Sequence, residues 1–344
     1  MLSRRFVNDG QPGIPLNRLQ LQVRDVVAAK IADGTYRFET VACGICGATE
    51  TTMLAEKDRY GLYSPVVICR TCGLIFSTPR MDQASYAAFY DREYRPLYMG
   101  KAYSADAVWE KTSRRGARIA AFLRPGGAEL VGKRILEVGC GAGGALAHFR
   151  DRFNCEVKGC DFGTEGLTYG RVNHGLDLTI GTIGSIPAIQ QGWRADVIIY
   201  SHVLEHILDL HEECERIRHA LADDGLVYIE VPSVKGIRHN YTWDFLRYLQ
   251  NAHTYHFSLT TLLNLMQRHG FQLIRGNEFT QAVFRMDAQE QGDATHLVND
   301  YTPVMRFLKA TERQRPFRHV LHPIKTARKA YRRARRWWRA GLQG

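Results

Sequence analysis

The sequence predicts an α/β protein built on a doubly wound, mostly parallel sheet. From residue 134 onward, strand-like apolar runs alternate with helical patterns, and the connections between them are short. The clearest runs are Ile135–Val138, Asp196–Tyr200 and Leu226–Val231, the last of which stops at Pro232. Because a parallel sheet needs a crossover helix between successive strands, this alternation favours a sheet covered by helices on both faces.

The remaining elements follow from helical periodicity, capping residues and short apolar runs. Helices are expected at Leu19–Ile31, Gln83–Tyr90, Ala107–Leu123, Ala145–Phe153, Gly166–His174 and Val203–Leu221, and one that Ser258 caps is expected to run to His269. Further strands are expected at Cys155–Asp161, Leu176–Ile180, Phe271–Gly276 and Ala282–Met286.

The composition divides the chain into five segments. An N-terminal extension spans residues 1–40, a cysteine-bearing knuckle 41–80, a helical connector 81–130, the α/β domain 131–290 and a basic tail 291–344. A chain of 344 residues is long for one hydrophobic core, so more than one domain is expected.

The positive charge is confined to the tail. The whole chain carries +11, but residues 305–344 hold 13 Lys or Arg and one acidic residue, so the rest sums to −1. A neutral body offers no second contact patch for nucleic acid, which makes that partner unlikely. Residues 320–344 suit a basic helix with tryptophans on its apolar side, which predicts binding to an anionic membrane surface; a solvated tail is the alternative.

The N-terminus carries no apolar block typical of an export signal, and no apolar run is long enough to span a bilayer. We therefore expect a cytoplasmic protein, with a peripheral position on the inner face of the membrane if the tail binds there. In a reducing compartment the eight cysteines are expected to be thiols or metal ligands.

A glycine-rich turn follows the first strand of the α/β domain. Gly139, Gly141 and Gly144 spell G-x-G-x-x-G, a pattern that also marks dinucleotide sites. Asp161 follows 22 residues after the first glycine, where a carboxylate can accept the hydroxyls of a ribose. Glu137 precedes the turn and would repel a pyrophosphate. The cationic ligand S-adenosylmethionine suits this carboxylate better.

Four motifs in order resemble the class I S-adenosylmethionine-dependent methyltransferases, across about residues 110–290. They are LEVGCGAG at 136–143, GCD at 159–161, DVIIYSHVLEHI at 196–207 and LADDGLVYIEVP at 221–232. The resemblance implies a Rossmann-like methyltransferase fold and these cofactor-binding residues: Glu137, Gly139, Gly141, Gly143, Asp161, Ser201 and His202. The family often has an acidic residue for adenine after the third strand; here residues 181–188 hold none, and Thr182 or a backbone group is the expected substitute.

HVLEH at 202–206 also fits the H-x-x-E-H zinc motif of a class of proteases. Its place directly after a buried strand of a doubly wound sheet, where a cofactor crevice opens, argues against that interpretation. Packing or surface roles for Glu205 and His206 are expected instead.

Two C-x-x-C pairs predict a structural zinc site. Cys43 and Cys46 are followed, after 22 intervening residues, by Cys69 and Cys72, and a glycine follows each pair. Four thiolates satisfy tetrahedral Zn²⁺ and leave no open position for catalysis. A zinc knuckle ahead of a class I methyltransferase resembles a group of bacterial enzymes that includes sugar methyltransferases.

The loop after the fifth strand, residues 239–258, concentrates histidines and aromatic side chains where an acceptor would bind. Methyl transfer often requires a base, and histidine has a suitable pKa. His256, then His253, are the candidate bases, with His202 a third catalytic candidate. Three aromatic side chains are able to stack on a sugar or nucleobase: Tyr241, Trp243 and Tyr255.

Together these patterns predict methyl transfer to a sugar acceptor in nucleotide-linked, lipid-linked or glycan form, with oxygen as the expected methylated atom. The alternatives are methylation of another small molecule or of RNA, or a non-catalytic scaffold that keeps the cofactor fold. The oligomeric state stays open.

Overall fold

A computed structural model of the chain describes residues 1–101, 104–124, 129–286 and 297–317. The N-terminal part holds α1 (Arg18–Ala32), β1 (Phe38–Glu39), β2 (Thr51–Lys57), β3 (Tyr63–Cys69), β4 (Ile75–Ser77), β5 (Arg80–Met81), α2 (Gln83–Arg92), α3 (Tyr94–Met99) and α4 (Ala105–Leu123). The central part holds β6 (Arg134–Val138), α5 (Gly144–Phe153), β7 (Glu156–Asp161), α6 (Thr164–His174), β8 (Asp177–Ile180), α7 (Pro187–Gln190), β9 (Ala195–Ser201), α8 (Leu210–Ala220) and β10 (Leu221–Glu230). Then follow α9 (Ile237–Asn240), α10 (Phe245–Tyr248), β11 (Tyr255–His256), α11 (Leu259–Arg268), β12 (Phe271–Gly276), β13 (Gln281–Met286) and α12 (Tyr301–Gln314).

The largest sheet has seven strands in the order β12-β13-β10-β9-β6-β7-β8. The five strands from β10 to β8 are parallel, and β13 and β12 extend the sheet antiparallel. Alternate residues of β9 enter different cores: Ile198 packs into one cluster and Ile199 into another, and both are fully buried. This two-faced burial confirms the predicted doubly wound, mostly parallel fold.

The segment after β9 differs from the predicted long helix at Val203–Leu221. A short 3-10 turn covers Leu204–His206, and α8 begins only at Leu210. The side chain of Asp209 caps α8 by accepting from the Glu212 amide, which fixes the later start. The protease-type zinc motif requires both histidines on one face of a helix. His202 and His206 therefore do not have the arrangement that this motif needs.

A second sheet joins the N-terminal part to the loop after β10. Its order is β11-β4-β3-β2, all antiparallel. Tyr255 pairs with Phe76 and His256 with Ile75, so the chain that carries the candidate histidines completes the cysteine-bearing sheet. This long-range pairing has no local sequence signal, since β11 is only two residues long.

Helix α12 lies at the start of the basic segment and packs against the body. Val304 and Leu308 are buried in a core with Phe6, and Arg5 forms an ion pair with Glu312 at 2.7 Å. The predicted membrane-binding helix at 320–344 lies outside the described residues. Within the described ranges, no helix combines the length and the apolar character that crossing a bilayer demands.

Candidate functional site

The glycine turn after β6 leaves its backbone open to a ligand. Gly139, Gly141 and Gly143 all have positive φ values, of 67°, 58° and 79°, which side chains other than glycine rarely adopt. A Cβ at Gly139 would also collide with the side chain of Val203. Gly144 has a different role: it begins α5, and a Cβ there would meet the Trp109 carbonyl of α4 at 2.6 Å.

Glu137 lies on β6 just before this turn and is 1% exposed. Its Oε2 atom has no hydrogen-bond partner among the described residues. Burial raises the pKa of the Glu137 carboxyl to about 8, with Arg115 opposing that rise and Asp161 adding to it. A buried carboxyl group with one unpaired oxygen, next to an open backbone turn, favours a cationic ligand group.

Asp161 stands at the end of β7, across the turn. One carboxylate oxygen accepts from the Gly141 amide at 2.9 Å and the other from the Gly163 amide at 2.6 Å. Arg95 of α3 approaches the same carboxylate at 3.9 Å. The side chain is therefore held in place at the rim of the crevice by two backbone amides.

Ser201 and His202 end β9 on the other side of the turn. His202 has φ = 61°, an uncommon conformation for a residue with a side chain, and its amide donates to the Glu230 carbonyl at 2.7 Å. The Ser201 hydroxyl donates to the Glu230 carboxylate at 3.3 Å. The His202 side chain is 41% exposed, so the turn holds an imidazole at the mouth of the crevice.

Glu205 gathers three histidines. Its Oε1 atom is 3.7 Å from His202 Nδ1 and 3.9 Å from both His206 Nε2 and His253 Nε2. Burial lowers the pKa of His206, and lowers that of His253 further. The side chains of Glu205 and His206 are only 2% and 9% exposed, so of the two expected roles, packing and surface, the packing role fits both residues.

His256 is placed deeper than the other candidate bases. It is 1% exposed on β11, and neither ring nitrogen has a hydrogen-bond partner among the described residues. Burial and neighbouring His206 lower the pKa of His256 to about 3. The ring lies 6.0 Å from that of His253, centroid to centroid. The structure thus brings His202 and His253 to Glu205 and leaves His256 behind them.

Three tyrosines of α2 and α3 form a wall beside the histidine group: Tyr90, Tyr94 and Tyr98, here called the tyrosine wall. The Tyr90 and Tyr94 rings stack at 4.3 Å, and Tyr94 stacks on Tyr98 at 5.7 Å. Both Tyr90 and Tyr94 also contact the His206 ring edge-on, at 5.6 and 5.7 Å. By contrast Trp243, expected to stack on an acceptor, is 9% exposed.

The adenine side offers apolar surface. Thr182, the suggested substitute for an acidic residue, precedes a 3-10 turn at Ile183–Ser185: its amide donates to the Ser185 hydroxyl at 3.2 Å, and its carbonyl accepts from the Ser185 amide at 3.0 Å. Phe162, directly after Asp161, is 68% exposed, and Ile180 at the end of β8 is 50% exposed.

The four predicted zinc ligands converge. Cys43 Sγ is 3.5 Å from Cys72 Sγ, and Cys46 Sγ is 3.5 Å from Cys69 Sγ. All four sulfur atoms lie within 4.8 Å of one another, and none of these cysteines forms a disulfide. The residues required for a four-thiolate metal site are therefore assembled in one place.

Sequence reasoning missed Glu205 as the centre of the histidine group, and it missed Glu230 and the tyrosine wall. Glu205 was visible only as part of HVLEH, and its burial depends on contacts with residues 86–98 and 253, far away in sequence. Glu230 ends β10 opposite Ser201, a position that the parallel register predicts once β9 and β10 are paired.

A family model, curated proteins and solved structures are similar to part of this chain. Residues 108–275 match the family model described as "Methyltransferase domain". A stretch of 84 residues is 37% identical to a ubiquinone biosynthesis O-methyltransferase of Proteus mirabilis (strain HI4320), covering 23% of this chain and 34% of that relative. A protein of the same name from Chelativorans sp. (strain BNC1) is 28% identical over 101 residues, covering 28% and 40% of the two chains.

The chain thus aligns with only about a third to two-fifths of the length of these curated relatives. Among solved structures, an S-adenosylmethionine dependent methyltransferase from Mesorhizobium loti is 15% identical, with a TM-score of 0.38 and coverage of 48% of this chain and 96% of that one. The family match spans β6 to β12, the strands that build the crevice. Residues 108–275 are therefore similar to a methyltransferase domain.

Proposed function

We propose that the protein transfers a methyl group from S-adenosylmethionine to an oxygen atom of a sugar acceptor. The observation that carries the donor assignment is the buried carboxyl of Glu137, whose Oε2 atom is unpaired beside the open glycine turn. A cationic amine placed there would pair with the carboxylate and lower the pKa of Glu137 from about 8. A pyrophosphate would meet a repulsive charge instead.

The residues present fit this cofactor. Glu137 would hold its ammonium group, the backbone of the glycine turn its methionine portion and Asp161 its ribose hydroxyls. The exposed side chains of Phe162 and Ile180 supply apolar surface for its adenine. When bound, S-adenosylmethionine would supply a methyl group from its sulfonium: the acceptor oxygen would form a bond to the methyl carbon as the bond from sulfur breaks, which leaves S-adenosylhomocysteine.

His202 is the best-supported group to take the acceptor's proton. It is the exposed member of the histidine group, at 41%, and lies between Glu205 at 3.7 Å and Glu230 at 3.9 Å. Two carboxylates beside the ring would stabilise the imidazolium that forms. His253 is the second candidate; His256, 1% exposed, is less suited because an acceptor would have to reach it through the core.

The tyrosine wall supports a ring-shaped acceptor. Tyr94 and Tyr98 stack with their planes 16° apart, and Tyr98 is 46% exposed. Flat aromatic surface suits the apolar face of a sugar. It equally suits an aromatic acceptor, and the curated relatives carry the name ubiquinone biosynthesis O-methyltransferase, so O-methylation of another small molecule is the second candidate function.

The four cysteines fit a structural Zn²⁺ ion. Their sulfur atoms lie within 4.8 Å of one another, and three of the four residues are buried. Four thiolates would fill the coordination shell of the ion, so its role here is to hold the N-terminal sheet together.

Tritiated methyl transfer from S-adenosylmethionine tests the acceptor. Purified full-length protein is incubated with fractions of nucleotide sugars, lipid-linked glycans, phenolic small molecules and RNA. Label in a sugar fraction is expected. Label confined to phenolic compounds would replace the sugar with the second candidate, and label confined to RNA would contradict both. Cofactor binding without formation of S-adenosylhomocysteine in any fraction would favour a scaffold.

A further inference from the structure

Glu205 carries a buried carboxylate with no hydrogen bond. It is 1% exposed, and neither carboxylate oxygen has a hydrogen-bond partner among the described residues. A carboxylate removed from water in this way is strongly unfavourable unless a cation or a donor compensates it. Nitrogen atoms near the Glu205 carboxylate are too far away to form a hydrogen bond with it. Their distances are those expected for a nitrogen and an oxygen that bind the same metal ion.

The two closest buried nitrogens belong to His206 and His253. Each has its Nε2 atom 3.9 Å from Glu205 Oε1, beyond hydrogen-bond range. The ligand atoms of the three residues all lie within 4.8 Å of one another. Because metal–nitrogen and metal–oxygen bonds are about 2.0–2.2 Å, neighbouring ligands of one ion are separated by roughly 3 to 4 Å. The triplet therefore has the spacing of a ligand set.

His206 is already oriented as a ligand. Its Nδ1 atom is 2.8 Å from the carbonyl oxygen of Ala252. A carbonyl only accepts, so the proton of the neutral ring is on Nδ1 and the lone pair is on Nε2, which faces Glu205. A backbone carbonyl bonded to the second ring nitrogen is the usual support of a metal-bound histidine.

The two segments that carry the triplet are fixed to each other by their backbones. The amide of Thr254, next to His253, donates to the Glu205 carbonyl at 2.9 Å, and the Thr254 hydroxyl donates to the same oxygen at 3.2 Å. The geometry is therefore set by main-chain contacts and does not depend on flexible side chains.

We propose that Glu205, His206 and His253 bind one divalent transition-metal ion. Two imidazoles and one carboxylate select ions such as Zn²⁺, Co²⁺ or Mn²⁺ and leave coordination positions open, unlike the four thiolates of the cysteine cluster. His202 is next to this site, with its Nδ1 3.7 Å from Glu205 Oε1. An ion bound to Glu205 would leave Glu230, 3.9 Å from His202 Nε2, to stabilise the His202 imidazolium. The metal site does not depend on the identity of the acceptor.

Gln250 competes with an ion for His253. Its amide nitrogen contacts His253 Nε2, and its amide oxygen accepts from Arg59. Binding of an ion through this ring nitrogen must displace the Gln250 amide. Replacing Gln250 by Ala is thus expected to tighten metal binding several-fold.

Co²⁺ distinguishes the two metal sites by its absorption spectrum. Untagged full-length protein with its cysteines filled by Zn²⁺ is titrated with Co²⁺ alone. The expected result is one further Co²⁺ per chain, with weak visible bands and without the intense sulfur-to-cobalt band that thiolate ligands give. Glu205→Gln should weaken this binding at least ten-fold. His211→Gln should leave it unchanged, because His211 belongs to a separate pair with His269.

Three outcomes would overturn the site: no additional Co²⁺ at millimolar concentration, a spectrum with only the sulfur band, or unchanged binding in Glu205→Gln. Circular dichroism confirms that each variant is folded. If Glu205→Gln does not fold, the wild-type titration and Gln250→Ala decide the question, because the latter must then bind Co²⁺ more tightly. Metal binding is measured without methyl transfer, so neither result depends on the acceptor.

Discussion

Replacing Glu137 by Gln removes a buried carboxyl and nothing else from the cofactor crevice. In the folded protein the pKa of this group is raised to about 8 from the ordinary 4.5, chiefly by burial. A carboxyl with a raised pKa binds its proton more tightly in the folded state than in the unfolded state. Its contribution to stability is therefore full below pH 4.5 and is lost as the pH rises towards 8.

The size of this effect follows from the two pKa values. Between them, the free energy of unfolding falls by about 1.4 kcal/mol for each pH unit, since one proton is released on unfolding. From pH 5 to pH 7 the loss for wild type amounts to about 2.5 kcal/mol, because the unfolded carboxyl is partly ionised at pH 5 already. Glu137→Gln has no such proton, so the variant should gain stability over wild type by this amount across the interval.

Urea unfolding at pH 5, 6 and 7 measures the difference. Glu165→Gln is the matched control, since Glu165 is exposed on α6 near the same crevice and should show no comparable trend. Saturating S-adenosylmethionine should remove the advantage of Glu137→Gln, because its cation pairs with the ionised carboxylate. A difference between wild type and Glu137→Gln that stays constant from pH 5 to pH 7 would refute the reasoning.

Three further predictions concern the acceptor side, the cysteines and the basic segment. His202→Gln should lower kcat about 100-fold and leave KM for S-adenosylmethionine within about two-fold, as steady-state methyl transfer would measure; an unchanged kcat excludes His202 as the base. Cys69→Ser should lose about one zinc per chain in elemental analysis of the purified protein, and retained zinc would argue against a four-thiolate ion. Deleting residues 320–344 should abolish co-sedimentation with anionic liposomes, and equal association of both proteins would end the membrane hypothesis.

The α/β domain could be predicted from the sequence because its signals are local. Each apolar run that predicted β6 or β9, like the Ser258 cap of α11, consists of residues close together in the chain. These predictions match the observed bounds within one or two residues. The helix after β9 was predicted too early, because helical spacing continues through Val203–Asp209 although Val203 and Ile207 do not have helical backbone angles. The Asp209 cap then sets the start of α8 at Leu210.

The candidate site could be predicted only in part, for a related reason. Glu137, the three glycines and Asp161 follow consecutive strands of one sheet, and parallel strands bring their carboxyl ends to one edge. The group around Glu205 combines the end of β9, the loop before β11 and the tyrosines of α2 and α3. No sequence periodicity connects segments so far apart, so the burial of the Glu205 carboxylate could be seen only in the structure.

The N-terminal residues do more than carry the four-cysteine cluster. Strand β4 pairs with β11, and the Ser77 amide donates to the Thr254 carbonyl at 2.9 Å, one residue from His253. Cys69 ends β3, the neighbour of β4, so the cysteine cluster is linked through two strands to the loop that positions His253. Loss of the proposed zinc ion should therefore weaken the histidine group as well as the sheet. Residues before the methyltransferase domain supply one wall of its crevice, which the domain alone would leave open.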